Sequence, residues 1–173
     1  LERRILELQE AGIEADVILF HPYDEGLWGF DRMGREADER YLRYVVARLS
    51  AFRNVWWSMA NEWDYVRRRS VDDWDRLFDL LAAEDPHGHL TSIHNGAKLF
   101  DHARASITHV SLQSPDLTQM QEWRARWNKP VIDDECEYEG DIDHFWGNLT
   151  AEELVHRFWV GTLSGGFVGH GET

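Results

Sequence analysis

Apolar runs of strand length alternate along the chain with stretches whose apolar residues recur at helical spacing. We expect six strands, at Asp16–Phe20, Asn54–Glu62, Thr91–Asn95, Ile107–Gln113, Pro130–Asp134 and Phe167–Gly169. We expect helices over Leu1–Ala11, Glu39–Phe52, Ser70–Glu84, Asp116–Trp127 and Thr150–Leu163, with one or two helical turns within Ala97–Ala103. Such alternation is typical of parallel strands joined by right-handed helical crossovers.

The order of the elements predicts an α/β fold, namely an incomplete (β/α)₈ TIM barrel. A closed barrel has eight strands and typically ~250 residues, whereas these 173 residues hold about six strands. Because the chain starts on a helix and stops after a strand, we expect strands three to eight, without the first two βα units and the last helix. Residues 1–173 would form one partial barrel domain. A doubly wound open sheet is the alternative, but no Gly-rich phosphate loop follows any strand.

Charge and composition narrow the range of partners. The net charge of −14 would repel polyanions, so we expect neither nucleic acid nor an anionic membrane as a partner. No stretch approaches the ~20 apolar residues of a membrane span.

The single cysteine, Cys136, excludes an internal disulfide; its acidic neighbours should raise its pKa and leave it a packing residue. The sequence lacks an initial Met, so we expect its natural N-terminus elsewhere, and a cytoplasmic or secreted location stays open.

Polar residues collect at the C-terminal ends of all the predicted strands, and the strand starts show no matching enrichment. In parallel α/β proteins this end holds the ligand and the reacting groups. The pattern therefore predicts a polar active-site face. Its substrate-binding candidates are His21, Tyr23, Asp24, Trp28, Asn61, His94, Asn95, His109, Gln113, His170 and Glu172.

Two carboxylates on this face stand out by position. Glu62 follows an apolar strand, so we expect it to be partly desolvated, which favours a protonated carboxyl. Asn61, directly before it, can hold a substrate hydroxyl. Glu135 ends the fifth strand, where alternation places it on one face with Val131 and Asp133; a neighbouring Glu of the same acidic turn is the alternative. Glycoside hydrolysis needs two such carboxylates, one as general acid and base, the other as nucleophile or as base toward water.

Both carboxylates lie in motifs that resemble those of a known class of enzymes. Asn54–Glu62 resembles the fourth strand of clan A glycoside hydrolases, and Lys129–Gly140 resembles their seventh strand. The chain is similar to bacterial apiosidase-like barrels at three further stretches, His21–Asp24, Ser92–Asn95 and Gly169–Glu172. The resemblance implies that Glu62 is the acid/base and Glu135 the nucleophile. It also implies retaining hydrolysis of a plant or bacterial glycan, without a cofactor or a metal.

Nine tryptophans suit a sugar site, because aromatic rings stack on the C–H faces of sugars. Trp28, Trp63 and Trp146 lie on strand-end loops and are the candidates for such stacking. The remaining tryptophans are expected to pack in the core, including those on predicted helices, Trp123, Trp127 and Trp159.

Two other classes of function stay open. One is a metal-dependent barrel hydrolase that uses His94, His109 and an acidic residue as ligands. The other is a non-catalytic carbohydrate-binding barrel fragment. An incomplete barrel also leaves sheet edges open, which would allow the chain to associate with itself.

Overall fold

The computed structural model describes residues 1–172; Thr173, the last residue of the predicted domain, lies outside the described residues. In this range the helices are α1 (Glu2–Glu10), α2 (Arg35–Leu49), α3 (Val71–Glu84), α4 (Met120–Trp127) and α5 (Ala151–Leu163). The strands are β1 (Ala15–Phe20), β2 (Val55–Ala60), β3 (Thr91–Ser92), β4 (Val110–Gln113), β5 (Val131–Glu135) and β6 (Phe167–Val168). The strand pairs are parallel, as the alternation predicts. None of the described helices is long and apolar enough to cross a membrane.

The chain divides into two compact units, and the first contains residues 1–98 and 104–107. Its sheet has the order β1-β2-β3, with Ala15 opposite Val55 and Trp57 opposite Thr91. Asn54 lies just before β2 and is buried, and its side-chain amide donates hydrogen bonds to the carbonyls of Ile5 (3.1 Å) and Ile13 (3.0 Å). One buried side chain thus fixes both α1 and the entry into β1 against the start of β2.

Aromatic packing fills the space between this sheet and its helices. Phe20 is fully buried, and its ring meets the edges of Tyr41 on α2 at 5.4 Å and Trp74 on α3 at 5.8 Å. Arg69 lies over the Phe20 ring at 4.5 Å and pairs with the buried Asp38 at 2.6 Å. The charge of Arg69 is therefore neutralised where the end of β1 meets α2 and the start of α3.

Local sequence explains where several helices begin and end. Ser70 and Thr150 each form the expected capping box, accepting the N–H of the residue three positions on while that residue's carboxylate accepts the cap's own N–H. Gly12 follows α1 with a φ of +74°, in the left-handed region that ends helices without steric cost. The expected helical turns in residues 97–103 are wrong, because these residues form bends and turns.

The second unit contains residues 99–103 and 108–172 of the described chain. Its sheet has the order β4-β5-β6, with Val110 opposite Val131 and Ile132 opposite Phe167. The core of this unit is built from buried side chains of β4, β5, α4, α5 and the connecting segments, namely Val110, Leu112, Leu117, Met120, Trp123, Trp127, Val131, Cys136, Leu149 and Leu154. Trp123 and Trp127 are core residues as predicted, whereas Trp159 is 54% exposed, so that prediction is wrong within the described residues.

Candidate active site

The first unit presents Glu62 just beyond the end of β2. Backbone hydrogen bonds join the neighbouring strand ends there: the Asn61 N–H donates to Phe20 O (2.9 Å), and the His94 N–H donates to Ala60 O (2.9 Å). Glu62 itself has a φ of +46° and is 8% exposed. A non-glycine residue in this left-handed conformation is uncommon and is typical of functional sites. The expected desolvation of Glu62 is confirmed by its burial.

Two neutral donors converge on one oxygen of the Glu62 carboxyl group. The Tyr23 hydroxyl, from the loop after β1, donates to Oε2, and the Asn61 side-chain amide donates to the same oxygen at 3.3 Å. The backbone N–H of Tyr23 donates in turn to Nδ1 of His21 at 3.2 Å. The loop after β1 thus reaches across to Glu62 and orients its carboxyl group.

Asp24 shapes the same loop from within. It is 4% exposed, and its carboxylate accepts the backbone N–H groups of Trp28 (2.9 Å), Gly29 (2.6 Å) and Phe30 (3.1 Å). These bonds hold the loop in a tight turn with Trp28 at the surface, 75% exposed. Asp24 therefore holds the loop, while Trp28 has an open ring face as a stacking residue requires.

The end of β3 is organised by a carboxylate that the sequence analysis did not single out. Asp64 accepts the backbone N–H groups of Gly96 (2.6 Å) and of the next two residues, Ala97 and Lys98 (2.9 Å each). His94 and Asn95 are both 3% exposed, and the Asn95 amide donates to Gly96 O at 2.9 Å.

Trp63 is buried in this first unit. It is 6% exposed, and its indole N–H donates to the carbonyl of Lys98 at 3.0 Å. The Lys98 ammonium nitrogen lies 5.7 Å from the centre of the same ring. The stacking role expected for Trp63 is therefore wrong, since its ring supports the loop after β3 and has no open face.

In the second unit, β5 ends in the acidic run that the sequence pattern predicts. Asp133 is fully buried, and this burial raises the pKa of its carboxyl group to about 8. Asp134, the next residue, accepts a hydrogen bond from the Ser111 hydroxyl. Glu135 is half-buried at the strand end, directly opposite Gln113 of β4 in the sheet register. Glu135 and Gln113 are thus neighbours, as candidates for one site require.

His109, just before β4, is held neutral at physiological pH. It is 4% exposed, and burial lowers the pKa of its imidazole to about 4. Its Nδ1 lies 3.0 Å from the Thr108 hydroxyl. A neutral imidazole can donate to or accept from a sugar hydroxyl, so the residue fits the polar role expected of it.

The end of β6 contributes exposed groups. His170 is exposed, with its Nε2 3.5 Å from Glu172 Oε1 and 3.9 Å from Glu139 Oε2.

Cys136 is 1% exposed, and its thiol pKa is raised to about 11, chiefly by burial and then by the nearby charge of Asp133. The predicted direction for Cys136 is confirmed, although burial is the larger cause.

Each unit gathers its own share of the predicted residues. The first holds Glu62 with Asn61, His21, Tyr23, Asp24, Trp28, His94 and Asn95; the second holds Glu135 with His109, Gln113, His170 and Glu172. No group of three His, Cys, Asp or Glu side chains within residues 1–172 is arranged to hold a metal ion. Asp64 is absent from the predicted site residues, although its short distance from Asn61-Glu62 along the chain was the available signal.

Solved structures of glycoside hydrolases share this arrangement of parallel strands. A Bacteroides vulgatus protein classed as a candidate glycoside hydrolase matches with a TM-score of 0.95 at 48% identity, over 99% of this chain and 34% of that chain. A family 5 glycoside hydrolase from the same organism matches with a TM-score of 0.74 at 19% identity, over 97% of this chain and 41% of that chain. A Thermotoga petrophila endo-1,4-β-D-mannanase matches with a TM-score of 0.68 at 13% identity, over 98% and 66%.

The chain belongs to the family described as "Apiosidase-like, catalytic domain", whose family model matches residues 1–171. The fold is part of a (β/α)₈ barrel, and the chain spans about a third of the length of the B. vulgatus protein that is 48% identical to it. A comparison with curated proteins finds no match. The resemblance to apiosidase-like barrels that the motifs indicate is therefore confirmed.

Proposed function

We propose that the protein carrying this chain is a retaining glycosidase, with Glu62 as the general acid/base and Glu135 as the nucleophile. The observation that carries the proposal is the environment of Glu62: it is buried at a strand end, strained in φ, and hydrogen-bonded by Tyr23 and Asn61. Two donors that hold the carboxyl group in one orientation suit a general acid/base, which must give up a proton and take it back. Membership of the apiosidase-like family supports a glycosidic substrate.

The reaction would proceed by double displacement. Glu135 attacks the anomeric carbon while Glu62 protonates the departing glycosidic oxygen, which gives a covalent glycosyl–Glu135 ester and a free alcohol. Glu62, now ionised, takes a proton from water as the water attacks the anomeric carbon. The ester bond breaks, Glu135 leaves as the carboxylate, and the sugar departs with its original anomeric configuration.

Substrate-binding roles follow from hydrogen-bonding capacity. Asn61 and Gln113 each adjoin a proposed reacting carboxylate and can bind the hydroxyls next to the cleaved bond. Trp28 would stack against a sugar face from its exposed loop position. The other candidates can act as donors and acceptors toward sugar hydroxyls, namely His21, Tyr23, His94, Asn95, His109, His170 and Glu172.

Activity measurements on the full-length protein test the proposal. Reducing-sugar release from a panel of plant and bacterial glycans identifies a substrate, and Glu135→Gln should then lower turnover at least ~1000-fold while leaving thermal unfolding unchanged. Glu139→Gln is the matched control, because Glu139 lies in the same acidic run outside the strand. Normal turnover by Glu135→Gln, or an equal loss in Glu139→Gln, would contradict the assignment of the nucleophile.

A further inference from the structure

The loop that follows Glu135 exposes a cluster of aromatic rings. Residues 136–149 leave the end of β5, and three consecutive side chains within them lie at the surface: His144, Phe145 and Trp146. Phe145 is 72% exposed and Trp146 is 36% exposed. The His144 ring lies 4.7 Å from that of Phe145 and 5.0 Å from that of Trp146, with an interplanar angle of 40° in each case. The three rings therefore form one contiguous aromatic surface.

Main-chain hydrogen bonds hold this loop in place. The Tyr138 N–H donates to Trp146 O (2.8 Å), the Leu149 N–H donates to Tyr138 O (3.0 Å), and the Gly147 N–H donates to His144 O (3.0 Å). These bonds close the loop on itself on both sides of the aromatic cluster. A loop that is ordered before binding loses little conformational entropy when a ligand arrives.

The Tyr138 ring supports the cluster from below. Its ring meets that of Trp146 edge to face at 6.0 Å. A Cβ added at Gly171 would lie 2.2 Å from Tyr138 Cδ1, so Gly171 lets the Tyr138 ring lie directly against the backbone. Trp146 is therefore braced by a ring that itself has a fixed support.

We propose that His144, Phe145 and Trp146 form a stacking platform for a sugar ring of the glycan beyond the ring whose bond is cleaved. The proposal rests on the proposed function, because the platform lies on the loop that leaves Glu135. Exposed aromatic rings on a strand-end loop are typical of binding sites, and their faces suit the C–H faces of sugars. Two exposed carboxylates, Asp141 and Asp143, lie just before the rings and can accept hydrogen bonds from sugar hydroxyls.

The aromatic cluster of residues 144–146 differs from the exposed apolar face of α5. There Phe158 and Trp159 lie beside Val155 and Leu163, so the exposed face is continuously apolar. The platform instead combines ring faces with adjacent hydrogen-bond acceptors. That combination favours a carbohydrate over a protein surface.

Affinity electrophoresis tests the platform without relying on hydrolysis. The full-length protein with Glu135→Gln is run through native gels that each contain pectin, arabinogalactan, xyloglucan, galactomannan or xanthan. One variant also carries Phe145→Ala and Trp146→Ala. The control variant instead carries Trp159→Ala and Phe167→Ala, which removes two other exposed aromatic side chains of this unit. Phe145→Ala alone is a milder second variant, and thermal unfolding verifies that all of them fold.

We expect retardation of the parent in at least one gel, about tenfold weaker binding after loss of both platform rings, and unchanged binding in the control. A parent that migrates freely in every gel, or platform variants retarded like the parent, would overturn the inference. Binding that depends on the platform, without hydrolysis of any of these glycans by the unsubstituted protein, would contradict the proposed function and leave the platform standing. Hydrolysis and binding unaffected by the platform variants would leave the function standing and remove the platform.

Discussion

Asp133 is a buried titratable residue whose effect on stability can be measured. Its side chain is fully buried in β5, and neither carboxylate oxygen accepts a hydrogen bond from any group within residues 1–172. Burial raises the pKa of this carboxyl group to about 8 from an ordinary value of 3.8. The nearby backbone amides of Ser114 and Glu135, which lie outside hydrogen-bonding geometry, offset the rise only in part.

The raised pKa makes folding favour the protonated form. Between pH 3.8 and about 8 the folded protein holds a proton on Asp133 that the unfolded chain has lost. This contribution to stability is fully present below pH 3.8. It falls by about 1.4 kcal/mol per pH unit as the pH rises from there through about 8, the pKa of Asp133 in the folded protein. The total is about 6 kcal/mol, a large share of the stability of an ordinary domain.

His109 opposes this trend at lower pH. Burial lowers its pKa from 6.5 to about 4, so its contribution is present above pH 6.5 and is lost as the pH falls through about 4. The two residues therefore nearly cancel between pH 4 and 6.5. From pH 6.5 to 8 the loss at Asp133 continues without the opposing gain at His109, and stability should fall by about 2 kcal/mol.

Urea denaturation of the full-length protein at pH 6.5, 7.25 and 8 measures this slope. Asp133→Asn keeps the shape of the side chain and removes the titration, so its free energy of unfolding should stay level across the same range. Asp141→Asn, which changes an exposed carboxylate, is the control and should follow the wild type. A wild-type protein that gains stability toward pH 8, or an Asp133→Asn variant with the wild-type slope, would refute the reasoning.

Two further predictions concern single contacts. Tyr23→Phe removes a hydrogen bond to Glu62 and should lower kcat about tenfold to a hundredfold at nearly constant thermal stability, because bonds to the ionised carboxylate that Glu62 becomes during the reaction contribute about 1.5–3 kcal/mol. Steady-state kinetics on the identified substrate measure this, and an unchanged kcat would count against it. Ser70→Ala removes the capping box of α3 and should cost about 1 kcal/mol in chemical denaturation without changing kcat. A stability change near zero would show that the cap does not hold this helix end.

The parts of the fold that sequence predicts well are those with local causes. The starts of α3 and α5 lie where the expectations place them, since Ser70 and Thr150 act on residues three positions away. The first turn of α2 was missed. It begins at Arg35 and is charged, and its buried Asp38 depends on Arg69, which lies 31 residues further along the chain.

The same difference between local causes and long-range contacts applies to the candidate site. Placing Glu62 and Glu135 at strand ends needs only the apolar runs before them, and both lie there. The contact from Tyr23 to Glu62 spans 39 residues, so no local pattern indicates it. The burial of Trp63 depends on Lys98, 35 residues away, and a strand-end position alone could not distinguish a supporting ring from an exposed one.

Trapping the covalent intermediate tests the central claim most directly. The full-length protein is incubated with a 2-deoxy-2-fluoro glycoside of the sugar that the glycan panel identifies, which slows release of the glycosyl enzyme. Intact-mass spectrometry and peptide mapping then locate the added sugar. Our account predicts one sugar per chain, attached to Glu135 and absent from Glu135→Gln. A label on Glu62 or another residue, or steady hydrolysis by a route that inverts the anomeric centre, would contradict it.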